Sequence, residues 1–203
     1  MMYLKSQLNE WVKKVEETLN NFFITGYGRS GTTFLAKMMN KSKQWTVNHE
    51  ARGYADTSIN NIVNIKQAFK TPFYGEVNNY LRNYIHDIEV DKIGVITRDT
   101  QDIFLSMANR KEIGELKWRI NGVHEMYTKI LPNIPANTYI IEFEKMTNDK
   151  EYLKQIFFDF GITDIDMEEI NLEKKVNSST GKWYNTWDEL PEEHKELYFS
   201  KEW

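Results

Sequence analysis

Short runs of β-forming residues alternate with longer stretches of helical periodicity about five times along the 203 residues, and that alternation leaves few folds open. The β-prone runs are Asn21-Phe22-Phe23-Ile24-Thr25, Trp45-Thr46-Val47, Phe73-Tyr74-Gly75-Glu76-Val77, Lys92-Ile93-Gly94-Val95-Ile96-Thr97 and Thr138-Tyr139-Ile140-Ile141-Glu142-Phe143. Apolar spacing between them predicts helices from about Gly31 to Lys41, from Thr57 to Phe69 and through Tyr80, Leu81 and Tyr84. Further helices are predicted from Thr100 to Arg110, from Leu116 to Ile130 with Pro132 closing it, and from Glu151 to Phe160 with Gly161 as the stop. Strand followed by helix, repeated, predicts a three-layer α/β fold: a central, mostly parallel sheet of about five strands with helices on both faces. In such sheets ligands bind outside the carboxyl ends of the strands, so the residues just after each strand are the candidates for function.

No repeat, low-complexity tract or Pro/Gly/Ser-rich linker divides the chain, which predicts a single domain over residues 1–203. The first 20 residues carry Leu4, Leu8, Trp11, Val12, Val15 and Leu19 on one helical face and predict an amphipathic helix packed on the domain. Lys5, Glu10, Lys13, Lys14, Glu16 and Glu17 stand where a secretory signal would be uninterrupted and apolar. The segment 177–203 predicts a loop and then a helix from Pro191 to Phe199. With 26 basic and 30 acidic residues, the net charge of −4 gives no whole-molecule electrostatic basis for binding nucleic acid, although a local basic pocket is compatible with it. The chain has no cysteine, which excludes disulfides, thiolate catalysis and cysteine-held metal sites. No apolar stretch reaches the roughly 20 residues a membrane span requires. A cytoplasmic location is the expectation.

After the first predicted strand comes Gly26-Tyr27-Gly28-Arg29-Ser30-Gly31-Thr32-Thr33, leading into a helix. Glycines let the backbone fold back so that successive N–H groups point inward, and the helix N-terminus adds about half a positive charge. Ser30, Thr32 and Thr33 add hydroxyls, and Arg29 adds a planar cation suited to phosphate or sulfate oxygens. The plainer alternative is a turn whose glycines merely permit tight packing. The spacing nearly matches the nucleoside-triphosphate loop G-x-x-x-x-G-K-[ST], but Thr32 occupies the lysine position. An anion other than an ordinary triphosphate is therefore expected.

The clearest inner strand ends in Thr97-Arg98-Asp99, and Ser106 stands eight residues after Arg98. Arg98 occupies the place of a ligand-facing cation; on its own it could equally pair with Asp99 or Asp102, and Ser106 could be an ordinary mid-helix serine. Together, Gly28-Arg29-Ser30-Gly31-Thr32-Thr33 and the Arg98–Ser106 pair resemble the sulfotransferases that use 3′-phosphoadenosine 5′-phosphosulfate. The resemblance implies a P-loop NTPase-like fold. It implies a 5′-phosphosulfate held by Gly28, Arg29, Ser30, Gly31, Thr32 and Thr33, and a 3′-phosphate held by Arg98 and Ser106. It extends more weakly to 74–82, to Ile141-Glu142-Phe143-Glu144 and to a late loop that in the family is usually richer in basic residues. Here that loop offers only Lys182 as a charge, and Ser179, Gly181 and Lys182 carry the expectation.

The same resemblance implies sulfonate transfer to a hydroxyl or amine by in-line displacement, with 3′,5′-adenosine bisphosphate as product and no metal. Positioning and electrostatics dominate such a reaction, by analogy with phosphoryl transfer. A base for the acceptor's proton is expected in Asn48-His49-Glu50-Ala51-Arg52, just after the second strand. Glu50 is favoured, since the members most resembled carry a Glu there. His49 is the alternative, and Arg52 is placed to depress the pKa of Glu50 or to bind an anionic acceptor. Arg29 is expected to stabilise charge on the departing phosphate.

Two other readings compete with the transferase: a P-loop-type kinase or NTPase, for which Asp99 is the nearest magnesium-holding residue, and a non-catalytic nucleotide-binding module. Partners are expected to be a small-molecule, carbohydrate or lipid acceptor bound by segments 51–71 and 112–124, with Tyr54, Trp183, Tyr184 and Trp187 as possible lining. His86, His124 and His194 have no partner at ligand spacing and read as solvated or core residues. Oligomeric state has no signal in the sequence.

Overall fold

In the computed structural model, residues 20–50, 66–110, 113–172 and 183–203 are described. The predicted N-terminal helix, most of the helix predicted over 57–69 and the late loop with Ser179, Gly181 and Lys182 lie outside them.

Five strands form one sheet in which every pairing is parallel: β1 (Asn21–Gly26), β2 (Thr46–His49), β3 (Tyr74–Val77), β4 (Lys92–Thr97) and β5 (Tyr139–Glu142), in the spatial order β2-β3-β1-β4-β5. The α-helices that lie wholly within the described residues are α1 (Thr32–Met39), α2 (Thr100–Ala108), α3 (Ile113–Glu125), α4 (Phe143–Asn148), α5 (Lys150–Asp159) and α6 (Glu192–Phe199). The expected fold class, a parallel five-stranded sheet covered by helices on both faces, is the one observed.

Period-two alternation along the strands divides the core between the two faces. Phe22 and Ile24 join Val47, Val77, Ile96 and Ile141 beneath α1 and α5, where Leu35, Met39, Leu153 and Phe157 close the layer. Ile93 and Val95 face the other way, against Ile103 and Phe104 of α2 and Leu116, Ile120 and Val123 of α3. Phe23 points to that second side too, into a smaller cluster with Phe69, Tyr74 and Leu81. Each fully buried Phe, Ile or Leu stabilises the fold by about 1.5–3 kcal/mol relative to exposure. Continuous apolar runs such as 22–24 suit inner strands buried on both sides.

The chain leaves β1 through α1 over one face, toward β2, and leaves β4 through α2 and α3 over the other, toward β5. The carboxyl ends of β1 and β4 therefore flank the crevice where such sheets bind ligands.

Three local predictions are corrected. The helix expected through Tyr80, Leu81 and Tyr84 is a single 3₁₀ turn over Arg82–Tyr84. Arg82 donates from its guanidinium to the Asn79 carbonyl at 2.9 Å, taking the acceptor that an α-helical turn would use. The helix expected to run on to Ile130 is α-helical only to Glu125 and then takes a π turn over Met126–Ile130 and a 3₁₀ turn over Leu131–Asn133. Pro132 cannot continue an α-helical ladder, and a π turn is a common device where a side chain must be re-aimed. Phe143, read as the last residue of a strand, instead opens α4.

Candidate active site

The loop between β1 and α1 folds back on itself and ends at a helix N-terminus. Ser30 donates its N–H to the Tyr27 carbonyl at 3.0 Å, folding the chain back toward the strand. Gly31 has φ 99°, the left-handed region where a Cβ is costly, and a Cβ there would stand 2.5 Å from the Phe143 ring. Gly26 is required by close approach, since its Cβ would meet the Ser30 hydroxyl at 2.4 Å and the Ile96 carbonyl at 2.9 Å. Ser30 Oγ is fully buried with no hydrogen-bond partner, although a buried hydroxyl is ordinarily paired. The first turn of α1 contains no acidic residue and no side chain caps it, so its N–H groups face the loop uncompensated. Thr32 is buried there and Thr33 half-buried beside it.

Arg29, at φ 79°, extends across the crevice and donates from Nε to Ser106 Oγ on α2 at 3.0 Å. Ser106 is thus more than an ordinary helix serine. Arg98, just after β4, donates to the Arg29 carbonyl at 2.8 Å and stacks its guanidinium 4.2 Å over the Phe143 ring. Of the pairings left open for Arg98, Asp102 is observed at 3.9 Å, and Glu144 stands at the same distance. The Asp99 carboxylate is used elsewhere, accepting from Gln101 and Asp102 N–H groups as the N-cap of α2. Tyr127 fixes the Arg98 backbone on both sides: its hydroxyl accepts from the N–H at 2.9 Å and donates to the carbonyl. Burial and the repulsion of Arg110 and Arg98 hold the Arg29 guanidinium down to about 10. Burial also lowers Arg98, opposed by Asp102 and Glu144. Clustered, partly desolvated cations of this kind are relieved by an anion.

At the carboxyl end of β2 the structure brings His49 and Glu50 to the same region. His49 Nε2 lies 3.2 Å from Thr33 Oγ1 and 3.3 Å from Thr32 Oγ1. It lies 3.5 Å from Glu50 Oε1. Burial, then the charge of Lys37, lowers His49 below the usual imidazole range. Glu50 has φ 54° and is 6% exposed. Asn79 N–H donates to its carboxylate, yet Oε1 is buried without a hydrogen-bond partner. Burial, and then the negative charge of Glu76, pushes the Glu50 carboxyl up to about 7. Arg52, expected to depress Glu50 or to bind an anionic acceptor, lies outside the described residues. Two of the three non-glycine residues with positive φ among the described residues are Arg29 and Glu50, and strain of this sort concentrates at functional sites.

Sequence reasoning gave no individual role to Glu76, Tyr127, Phe143 or Glu144, although the weaker resemblance ran through 74–82 and 141–144. The polar alternation Tyr74, Glu76, Asn78 inside an otherwise buried strand was a further signal for Glu76. The remaining histidines stay apart from the site: His86 is exposed, His194 is buried, and His124 Nε2 stands 2.7 Å from the Glu202 carbonyl. Trp187 packs with Phe104 and Tyr198, Tyr184 contacts the His194 ring, Trp183 is exposed, and Tyr54 lies outside the described residues. Among the described residues no group of three or more His, Asp or Glu side chains is arranged to hold a metal ion, and no helix is long and apolar enough to cross a membrane.

No family model matches the chain, and no curated protein matches it in sequence. Among solved structures it is similar to mouse sulfotransferase SULT7A1 complexed with PAP, at 17% identity and a TM-score of 0.48. That likeness covers 76% of this chain and 65% of the mouse chain, so the chain spans just under two thirds of that enzyme. It is also similar to the sulfotransferase domain of the olefin synthase from Synechococcus PCC 7002, at 13% identity and a TM-score of 0.53, over 91% of this chain and 96% of that domain. The fold is that of the sulfotransferases.

Proposed function

We propose that the protein is a sulfotransferase that moves a sulfonate group from 3′-phosphoadenosine 5′-phosphosulfate to a hydroxyl or amine. The observation that carries this reading is the bond from Arg29 to Ser106, which joins the loop cradle after β1 to the cationic end of β4 within one site. A ligand with anionic groups at two positions suits such a juncture. The orphaned, buried hydroxyl of Ser30 supports the fit, as a donor held in reserve inside the cradle.

In this reading Gly28, Ser30, Gly31, Thr32, Thr33 and the start of α1 hold the 5′-phosphosulfate. Arg98 and Ser106 hold the 3′-phosphate, and Ser179, Gly181 and Lys182 complete that end. When bound, the nucleotide supplies a sulfonate whose S–O bond to the 5′-phosphate breaks as a bond to the acceptor atom forms, leaving 3′,5′-adenosine bisphosphate. Arg29 stabilises the charge left on the phosphate. Glu50 Oε1 receives the acceptor's proton; a carboxyl titrating near neutrality is well matched to that task. His49, lowered by burial and already beside the hydroxyls of Thr32 and Thr33, orients the loop and the base. The acceptor is a small molecule, carbohydrate or lipid.

Calorimetric titration with 3′,5′-adenosine bisphosphate, beside AMP and ATP–magnesium, tests the reading. Binding of the bisphosphate well above either control is expected. A preference for ATP–magnesium would replace it with a kinase or NTPase, and binding of none of the three would remove the nucleotide site altogether.

A further inference from the structure

We propose that Glu76 is a positioning residue of the same site: its buried carboxylate, clamped by Tyr74 and Asn78, acts on the acceptor's proton through Glu50 and touches neither substrate. The inference rests on Glu50 being the group that receives that proton.

Tyr74, Glu76 and Asn78 project to one face at the end of β3, by the period of two. Glu76 is fully buried, a rare condition for a carboxylate and a costly one unless its oxygens are satisfied. Both are satisfied by dedicated donors: Tyr74 donates its hydroxyl to Oε2 at 2.8 Å, and Asn78 Nδ2 donates to Oε1 at 3.1 Å. Tyr74 Oη in turn accepts from Asn48 Nδ2 at 3.2 Å, and Asn48 stands directly opposite Glu76 in the β2–β3 register. The Asn78 amide is oriented by its own bonds, since its Oδ1 accepts from the Tyr80 and Leu81 N–H groups and its backbone N–H donates to Ile24. Its Nδ2 is thereby turned toward Glu76.

Such an arrangement is more than packing requires. An apolar residue of similar size serves stability as well as a buried charge does, or better. What the carboxylate adds is an influence on its neighbour. Glu50 lies two residues beyond Asn48, donates its N–H to the Val77 carbonyl at 3.2 Å and accepts from the Asn79 N–H. It therefore sits just past the end of β2, diagonally across from Glu76 of β3, both inside the protein. Two like charges this placed disfavour simultaneous ionisation, so the one with fewer donors keeps its proton to higher pH. Glu50 is that one, with a single N–H donor among the described residues and an Oε1 that has no hydrogen-bond partner and lies 3.5 Å from His49 Nε2. The raised Glu50 carboxyl is in accord with this geometry. The other titratable groups around the pair, among the described residues, are His49 beside Glu50, Lys37 of α1 acting on His49, and the Tyr74 hydroxyl.

The test reads Glu50 directly. The protein is labelled with ¹³C at its glutamate carboxyls, the Glu50 signal is assigned through Glu50→Gln, and it is titrated without substrate in wild type, Glu76→Gln and Glu76→Met. Both variants remove the charge while roughly preserving shape, and either one that folds suffices. The Glu50 midpoint should fall by about half a unit or more, and should remain raised in Glu76→Asp, which keeps the charge. In the transfer reaction the acid limb of the pH–rate profile should move down by the same amount. A Glu50 midpoint unmoved by loss of the Glu76 charge overturns the inference and leaves the proposed function standing. A protein that binds no bisphosphate overturns the proposed function, while the titration still reports the coupling independently.

Discussion

Arg29 Nε lies 3.0 Å from Ser106 Oγ, and this bond ties the loop after β1 to the helix after β4 at the point where the sheet's connections change face. Arg98 reinforces the same juncture from the other side through its bond to the Arg29 carbonyl. The two residues expected to hold a 3′-phosphate therefore differ in how much else they support. Ser106 contributes a hydroxyl, whereas Arg98 also holds the loop in its strained shape.

Substitutions at the two positions should separate these roles. Ser106→Ala should weaken 3′,5′-adenosine bisphosphate by about 10- to 150-fold, the range of one hydrogen bond to a charged group, and leave AMP nearly unchanged. Arg98→Ala should weaken both ligands, and the bisphosphate more. Calorimetry on the two variants measures this, and equal losses for both ligands in Ser106→Ala would remove the 3′-phosphate from that end of the crevice.

Arg29 combines an unfavourable φ with repulsion from two other guanidiniums. Arg29→Gly should relieve both and stabilise the ligand-free protein by about 0.5–1 kcal/mol, while bisphosphate binding is lost. Thermal melts with and without the nucleotide check the pair of effects. A melting temperature that falls in the ligand-free variant would mean that the Ser106 bond outweighs the strain.

The strands, the loop and the order of the motifs were legible because each is local. Phe22 to Ile24 form an apolar run that only an inner strand accommodates, and the spacing from Arg98 to Ser106 can be counted along the chain. The rest of the site was illegible because it depends on non-local placement. Glu76 reaches Glu50 only because β3 inserts between β2 and β1. Phe143 reads as β-forming by composition, yet it opens a helix and lies against both Gly31 and Arg98. Tyr127 meets Arg98 through a π turn that no periodicity announces. The upward influence of Glu76 on Glu50 was illegible for the same reason, since the two are 26 positions apart in the sequence.

Gly31→Ala tests the cradle without touching a charged group. The new methyl would have to occupy φ 99° and displace the Phe143 ring, on which the Arg98 guanidinium stacks. A destabilisation of about 1–3 kcal/mol is expected by chemical denaturation, with bisphosphate affinity reduced at temperatures where the variant is folded. Retained affinity would show that the loop reaches its binding shape without the left-handed turn.

Glu50 links the site to pH in a way that stability alone can detect. Its carboxyl rises from an ordinary 4.5 to about 7 in the folded protein, so the folded state binds the proton more tightly than the unfolded state does. Between those values the native protein holds a proton that the unfolded chain has released, and the stability contributed by this group falls as pH rises through that window. Below about 4.5 both states are protonated, and above about 7 both are ionised, leaving the full penalty of a buried carboxylate beside Glu76. Glu50→Gln removes the titration and keeps the shape. The variant should match wild type near pH 4.5 and exceed it by about 1–3 kcal/mol at pH 8, with bisphosphate binding nearly intact and turnover strongly reduced. Denaturation curves at the two pH values read the first effect and single-turnover rates the second. A stability difference independent of pH would place the Glu50 titration outside this window, and full turnover in the variant would move the proton to His49 or to another group.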